Sequence, residues 1–314
     1  MNIVSKIWRR AARLPFAQEY LCVDAETFAD TLFVYDLRDG RVHADVTKRH
    51  SLVGYSPLLL AFPPETDAPP QRTLLFCSRP CVPGQQPPGD AVLASLELRL
   101  FPQSSDAYVL YEGIFVRHRL LPFWKRCSLD AYNNRRHGEA GNVHLPGNRY
   151  QQVQVAYALP RSVCLISVCS DGGCNLFPTD LHGPVGNDRY LISLRIGGKA
   201  CAQVEEAGEL LLAQMAPAQA GLVYSLGRNH MRPLRPAGEL PFSGTFCGLP
   251  VPEGAARLRH LRLRGAQDAG IHRLLLFDVA AERAGHQQGH LAHVHAAYAT
   301  WRLRHGHAGN YLTR

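Results

Sequence analysis

The chain has 314 residues, 46% of them apolar, which is enough for two domain-sized cores. Lys and Arg number 34 against 26 Asp and Glu, a formal charge of +8, but the cations are dispersed without interleaved aromatics, which argues against a nucleic-acid surface. No run approaches the roughly 20 apolar residues of a membrane span, and the nine cysteines lack paired C-x2-C spacing, so reduced thiols in a soluble, cytoplasmic protein are expected.

Residues 1–14 place Ile3, Val4, Ile7, Trp8, Ala11 and Leu14 at helical spacing, with Lys6, Arg9, Arg10 and Arg13 between them. The segment lacks the apolar core and cleavage site of a secretory signal. It reads as a short helix within residues 1–20, docked on the protein's own body rather than laid on an anionic membrane. Residues 31–35 form an expected strand, Asp39-Gly40 a turn, 47–53 a polar loop and 57–62 a buried strand ended by Pro63-Pro64. Residues 63–71 and 82–89 are Pro-rich surface loops. Two alternating stretches, 91–101 and 108–116, are expected strands. Residues 130–148, which include Asn133, Asn134 and Gly138, are polar and read as a connection between domains at 21–132 and 149–314.

In the second half, residues 150–157 alternate and read as a first strand or its lead-in. An apolar run at 162–168 suits a buried strand, and Asp171-Gly172-Gly173 marks a turn, because Gly takes positive φ without steric cost. A polar loop bearing Asn175, Thr179, Asp180, His182 and Gly183 follows. A second apolar run, 190–196, ends among Arg195, Gly197, Gly198 and Lys199. Small residues, hydroxyls, an amide and two cations suit an anionic ligand. Residues 200–216 predict a helix through Val204, Ala207, Leu210, Leu211 and Met215, and 225–233 a polar loop near the ligand. Residues 256–264 predict a strand with a basic face, paired with 272–279, and 291–304 predict a helix with Leu291, Val294, Tyr298 and Trp301 on one face. The late histidines, His286, His290, His293, His295, His305 and His307, share no one face and have no Cys or carboxylate to complete a set, so no metal site is expected.

The two halves echo one another. Asp39-Gly40, Thr47, His50 and Val53-Gly54 recur without a gap as Asp171-Gly172, Thr179, His182 and Val185-Gly186. Each set lies between two apolar strands. The pattern reads as a tandem duplication of one β-barrel unit with a degenerate first copy, either a monomer of pseudo-dimeric barrels or a homodimer. Recurrence of His50 as His182 favours a structural hydrogen bond that both copies need.

The strand at 162–168, Asp171-Gly172, Asn175, Thr179, and the strand carrying Arg195 with Lys199 beyond it resemble the flavin reductase-like family, whose fold is the FMN-binding split barrel. Gly270-Ile271-His272 and the apolar run to Val279 are similar to the family's late strand, and the resemblance covers roughly residues 150–302. It implies a mainly β, Greek-key split barrel with a few helices. It also implies FMN, or FAD in its place, with NAD(P)H as co-substrate in a hydride transfer. Ser167, Asn175 and Thr179 would meet the ring edge or ribityl chain, with Ser170 and His182 in the same cofactor-binding stretch. Arg195 and Lys199 would hold the phosphate, and His272 would be catalytic, beside the nicotinamide or flavin. The implied partners are flavin, the nicotinamide nucleotide and an oxygenase receiving reduced flavin. Residues 181–189 depart from the family's Ser-rich loop and Pro-Pro pair, which leaves open the ring contacts and whether flavin is retained or turned over. A non-catalytic flavin- or haem-binding split barrel, or a partner subunit, is the alternative.

Overall fold

Each half of the chain folds its alternating apolar stretches into a seven-stranded antiparallel sheet, and the two sheets share one strand order. The computed structural model describes residues 7–8, 10–16, 18–28, 31–103, 105–136, 143–285, 289–307, 309 and 311–312. In chain order the first half contributes β1 (Tyr20–Asp24), β2 (Phe33–Arg38), β3 (Arg41–Asp45), β4 (Ser51–Tyr55), β5 (Leu58–Phe62), β6 (Gln71–Cys77), β7 (Val92–Leu100) and β8 (Val109–His118). Helices α1 (Phe123–Arg135) and α2 (Asn148–Ala156) lead to β9 (Arg161–Ser162), β10 (Cys164–Ser170), β11 (Gly173–Thr179), β12 (His182–Pro184) and β13 (Arg189–Arg195). Then come α3 (Lys199–Ala207), β14 (Glu209–Met215), α4 (Ala220–Ser225), β15 (Phe242–Phe246), β16 (Leu249–Pro252) and β17 (Ala255–Ala269). The chain ends with β18 (His272–Ala284), β19 (Leu291–His295), α5 (Ala296–Arg304) and β20 (Tyr311–Leu312).

The first sheet runs β3-β2-β6-β7-β8-β5-β4 and the second β11-β10-β14-β17-β18-β13-β12, so each strand of one has a counterpart in the other. Neither sheet is closed. The Asp39-Gly40 and Asp171-Gly172 turns join corresponding hairpins, in which Leu37 faces Val42 and Cys169 faces Cys174. The second sheet wraps Ile166, Val168, Phe177, Ile192 and Phe277 around Val204 of α3. The first packs Val34, Leu60, Leu74 and Leu96 in a core that extends to Val153 of α2 and Tyr298 of α5. Between the sheets lies a further apolar cluster of Val53, Leu59 and Leu110 against Val185, Leu191 and Leu274. Its symmetry resembles that of an isologous dimer interface. The approach is close: a Cβ on Gly183 would lie 2.0 Å from Ser51 Oγ. A third, four-stranded sheet, β20-β1-β19-β9, ties residues near both termini to the second half.

Several expectations are corrected. The loop expected between the two central apolar runs is largely β11 and β12, whose residues pair with β10 and β13. Residues 148–156 are helical, burying Tyr150, Val153 and Val155, where alternation predicts a strand. The first third of the expected polar connection is the end of α1, which runs to Arg135; of that stretch, 137–142 lie outside the described residues. The helix at 200–216 stops at Ala207, because Gly208 takes the left-handed conformation of a C-cap (φ 68°), and β14 follows. The final helix begins only at Ala296, after β19. Cys169 and Cys174 form a disulfide, against the expectation of reduced thiols, because the hairpin register sets them opposite one another. Residues 1–6, 9 and 17 of the expected N-terminal helix, and His286, lie outside the described residues; residues 7, 8, 10 and 11 are helical, and Trp8 packs 6.4 Å from Tyr132. No helix among the described residues is long and apolar enough to cross a membrane.

Candidate functional site

A cavity of about 320 Å3 opens where the two large sheets meet the four-stranded sheet and α1. Five tyrosines form much of its wall: Tyr20 from β1, Tyr55 from β4, Tyr132 from α1, Tyr150 from α2, and Tyr157 just beyond α2. Glu19, Asp180, between β11 and β12, Arg195, at the end of β13, His293 of β19 and Arg136 supply charge.

Antiparallel pairing of β13 with β18 sets Arg195 opposite His272 and Ser193 opposite Leu274, on the face turned toward the first sheet. Tyr55 arrives there from the first sheet. Its ring meets the His272 imidazole edge-on at 4.7 Å, and its hydroxyl accepts a hydrogen bond from Arg195. His272 is 1% exposed and neither ring nitrogen has a hydrogen-bond partner. Burial, and then the Arg195 charge, push its pKa down to about 4, so the imidazole is neutral at pH 7.

A second charged element faces the cavity. Asp180 Oδ2 accepts from His293 Nδ1 at 2.7 Å, and Tyr157 also hydrogen-bonds to Asp180. Burial would lower the His293 pKa, but hydrogen bonds to Asp180 and Cys22 and the Asp180 charge outweigh it and raise the pKa to about 9. Burial likewise opposes ionisation of Asp180, yet the His293 hydrogen bond and charge leave its pKa below the usual carboxylate value. The two form an ion pair at neutral pH, with Tyr224 2.9 Å from His293 Nε2. Aromatic walls, two arginines and a proton held between Asp180 and His293 suit a planar ligand with an anionic end.

No protein-family model and no curated protein matches the sequence. Among solved structures the chain is similar to an FMN-binding protein from Thermus thermophilus, at 20% identity over 40% of this chain and 73% of that one, with a TM-score of 0.37. It is similar to an NADH:FAD oxidoreductase from Streptomyces globisporus, at 15% identity over 46% and 88% with a TM-score of 0.41. The styrene monooxygenase flavin reductase from Pseudomonas putida S12 aligns at 16% identity over 46% and 92%, with a TM-score of 0.39. Flavin reductases and FMN-binding proteins are therefore among the structures this chain resembles.

Of the residues singled out in the sequence, Arg195 lines the cavity and His272 lies beside it, across one strand pairing. The others sit elsewhere. Lys199 is exposed at the start of α3. Asn175 is buried, its amide donating to Gln203 Oε1 at 2.8 Å and to the Asn229 carbonyl at 3.0 Å; it pins β11 to α3 and the loop beyond α4. Ser167 is buried between Leu176 and Leu211, with no partner for its hydroxyl. Ser170 and Thr179 are partly exposed at the strand ends and line no part of the cavity. His182 lines a neighbouring cavity of about 230 Å3, which shares Asp180 as a wall. Its Nε2 donates to the Ser162 carbonyl (3.0 Å), so its Nδ1 accepts from the Tyr190 hydroxyl (2.8 Å). Tyr20, Tyr55, Tyr132, Tyr150 and Tyr157 are spread over much of the chain, so no local spacing announces them. Asp180 stands among the polar loop residues that the sequence does mark.

Proposed function

We propose that the cavity binds a flavin and that the chain is a flavin reductase-like oxidoreductase using NAD(P)H, with FMN favoured over FAD by the small volume. The observation that carries this reading is the meeting of Arg195, neutral His272 and Tyr55 at the join of the two sheets, beside tyrosine walls. The residues fit the group: Arg195 and Arg136 are the cations for its phosphate, and the tyrosine rings are flat surfaces for its ring system. Bound flavin would supply the hydride chemistry itself. The chain would hold the anionic end, exclude water with its aromatic walls, and keep a proton on His293 Nδ1 against Asp180. His272, buried and neutral, would act behind Tyr55 as a positioning group for that wall.

The shared strand order supports a tandem pair of split-barrel units, at 21–132 and 149–314, of which only the second keeps Arg195 and His272. Delivery of reduced flavin to an oxygenase belongs to the same reading. A flavin-binding protein without turnover is the second reading, favoured by a volume that suits one ring system better than two stacked ones.

Titration of FMN, followed by flavin absorbance and fluorescence, tests the site. Arg195→Ala is expected to weaken binding roughly 10- to 100-fold, the worth of a charged hydrogen bond. Protein that takes up no FMN ends the proposal. NADH oxidation with added FMN separates the two readings, since only the oxidoreductase turns over.

A further inference from the structure

Helix α1 touches the tyrosine-walled cavity with its C-terminal end, through Tyr132 and Asn133. Its N-terminal end, roughly 15 Å away at 1.5 Å per residue, borders a separate cleft of about 360 Å3. The cleft is walled by the end of β8, the 119–122 turn, the first turn of α1 and the end of α5.

Its chemistry is one-sided. Arg119, Arg126, Arg304, His118 and His305 line it, with the rings of Phe123 and Trp301, and no described lining residue is acidic. The acid next along α1, Asp130, lies one turn beyond Arg126 and is hydrogen-bonded by Gln151 Nε2 at 2.8 Å. Lys125 adds to the crowding: it is 3% exposed, its ammonium donates to the Arg13 carbonyl (3.0 Å), and burial and then the charges of Arg304 and Arg13 lower its pKa. Asp130 offsets Arg126 in part, but cations that outnumber the acids around them create a field that favours an anion.

Donors are also left over. His118 is 4% exposed and lines the cleft, yet neither ring nitrogen has a hydrogen-bond partner. Arg126 Nη1 donates to the His118 carbonyl at 3.1 Å, while its Nε has no partner. Helix α1 starts at Pro122 with no side-chain cap, so its positive end faces the same space. At the rim the Phe123 ring is 73% exposed, and Trp124 beside it is also exposed, so the cations border an uncovered aromatic surface.

We propose that this cleft is a second binding site, for a nucleotide whose phosphate is held by Arg119, Arg126, Arg304 and the His118 imidazole while its base lies against Phe123. A phosphate ester matches the planar arginine forks, and a planar base matches an exposed ring. The site does not depend on flavin binding.

Binding of AMP, adenosine and inorganic phosphate to the full-length chain, followed by calorimetry, tests it. AMP is expected to bind at least about tenfold more tightly than adenosine, and more weakly as salt rises. The double substitution Arg119→Ala with Arg304→Ala removes two exposed side chains and is expected to leave circular dichroism and the melting temperature unchanged. It should cost AMP at least about tenfold in affinity, whereas Arg195→Ala should cost it nothing. AMP affinity unchanged in the double variant, or no binding of AMP up to about 10 mM, overturns the proposal. So does binding to phosphatidylserine vesicles alone, which would assign the cleft to a membrane surface.

Discussion

Corresponding positions in the two large sheets carry different chemistry. On the faces that meet, β13 and β18 place Ser193, Arg195 and His272 where the first sheet has Ala61, Pro63 and Tyr108, by the matching registers Ser193 to Leu274 and Ala61 to Leu110. The hairpin that crosses from the first sheet brings Tyr55 to Arg195; its counterpart in the second is the turn between β12 and β13, with exposed Asn187 in Tyr55's place. A second opening, of about 470 Å3, lies at that counterpart, bordered by Asp106, Ala107, Gly186, Arg189 and Arg264. There both arginines pair with Asp278, and Asp106 and Asp188 also line the opening, so it carries no excess of positive charge. The difference teaches that the shared scaffold supplies a crevice twice, while only one crevice has a cation and a buried imidazole at its inner edge. The scaffold alone does not make a site.

Acid should give the largest effect, and it should act on both halves. His50, of the first sheet, is held neutral by burial and then by Arg161, its pKa pushed down to about 3. His118, where β8 ends, is likewise lowered to about 3 and His272 to about 4. In the unfolded chain each takes up its proton near pH 6.5, and in the folded protein only at far lower pH. Stability must therefore fall as the pH drops below about 6.5, by up to ~1.4 kcal/mol per pH unit for each such histidine. His293 has the opposite sign: its raised pKa stabilises the fold fully below about 6.5 and is lost as the pH rises through about 9. Urea unfolding at pH 7, 6 and 5 should show a steep decline, shallower by about one proton in His50→Gln. A level profile would remove the argument that buried neutral histidines are common to both halves.

A substitution at the join should come next. Gly270 has φ +64°, and a Cβ there would lie 2.3 Å from the Ser56 carbonyl oxygen and 2.5 Å from Pro57 Cδ. The backbone runs this close because Ile271 N–H donates to that same carbonyl at 3.3 Å. Gly270→Val should cost roughly 3 kcal/mol or more through strain and overlap with backbone. Asp106, its counterpart in the first half, is exposed, and Asp106→Val should stay within about 0.5 kcal/mol. Equal costs, measured by urea denaturation, would show that the two turns bear on the interface alike.

What could be read from the sequence divides along physical lines. The hairpins at Asp39-Gly40 and Asp171-Gly172 are legible because a tight turn between strands favours these residue types, and the echo fixes their register. Arg195 and His272 stand out as a strand-end cation and a histidine opening an apolar run. Residues 148–156 mislead because Tyr150, Val153 and Val155 alternate for part of the segment, though the whole segment is helical and packs into the first core. The five cavity tyrosines, and the Asp180–His293 pair that spans 113 positions, are brought together by packing alone, and no spacing in the chain encodes that. Asn175 shows the reverse case: residue type and position suggest a ligand contact, while its amide closes a link to Gln203 and Asn229.

The smallest expected effect concerns one hairpin only. Cys169–Cys174 closes the β10–β11 turn, where the first sheet has Leu37 facing Val42 in an apolar cluster with Tyr35 and Leu75. Cross-linking so short a loop is worth about 2 kcal/mol at most in the chain-entropy account. Dithiothreitol should therefore lower the unfolding free energy by no more than that and leave the first sheet untouched. The hairpin has a second tether, since Cys174 and Arg235 exchange backbone hydrogen bonds of 2.7 and 2.8 Å. Amide exchange on reduction should accelerate at Cys174 and Arg235 but not at Leu37 or Val42. Exchange that rises equally in both hairpins would mean the disulfide steadies the whole molecule. Exchange that rises in neither would mean the Arg235 tether suffices, so that a covalent link and an apolar pair serve as equivalent closures of the same turn.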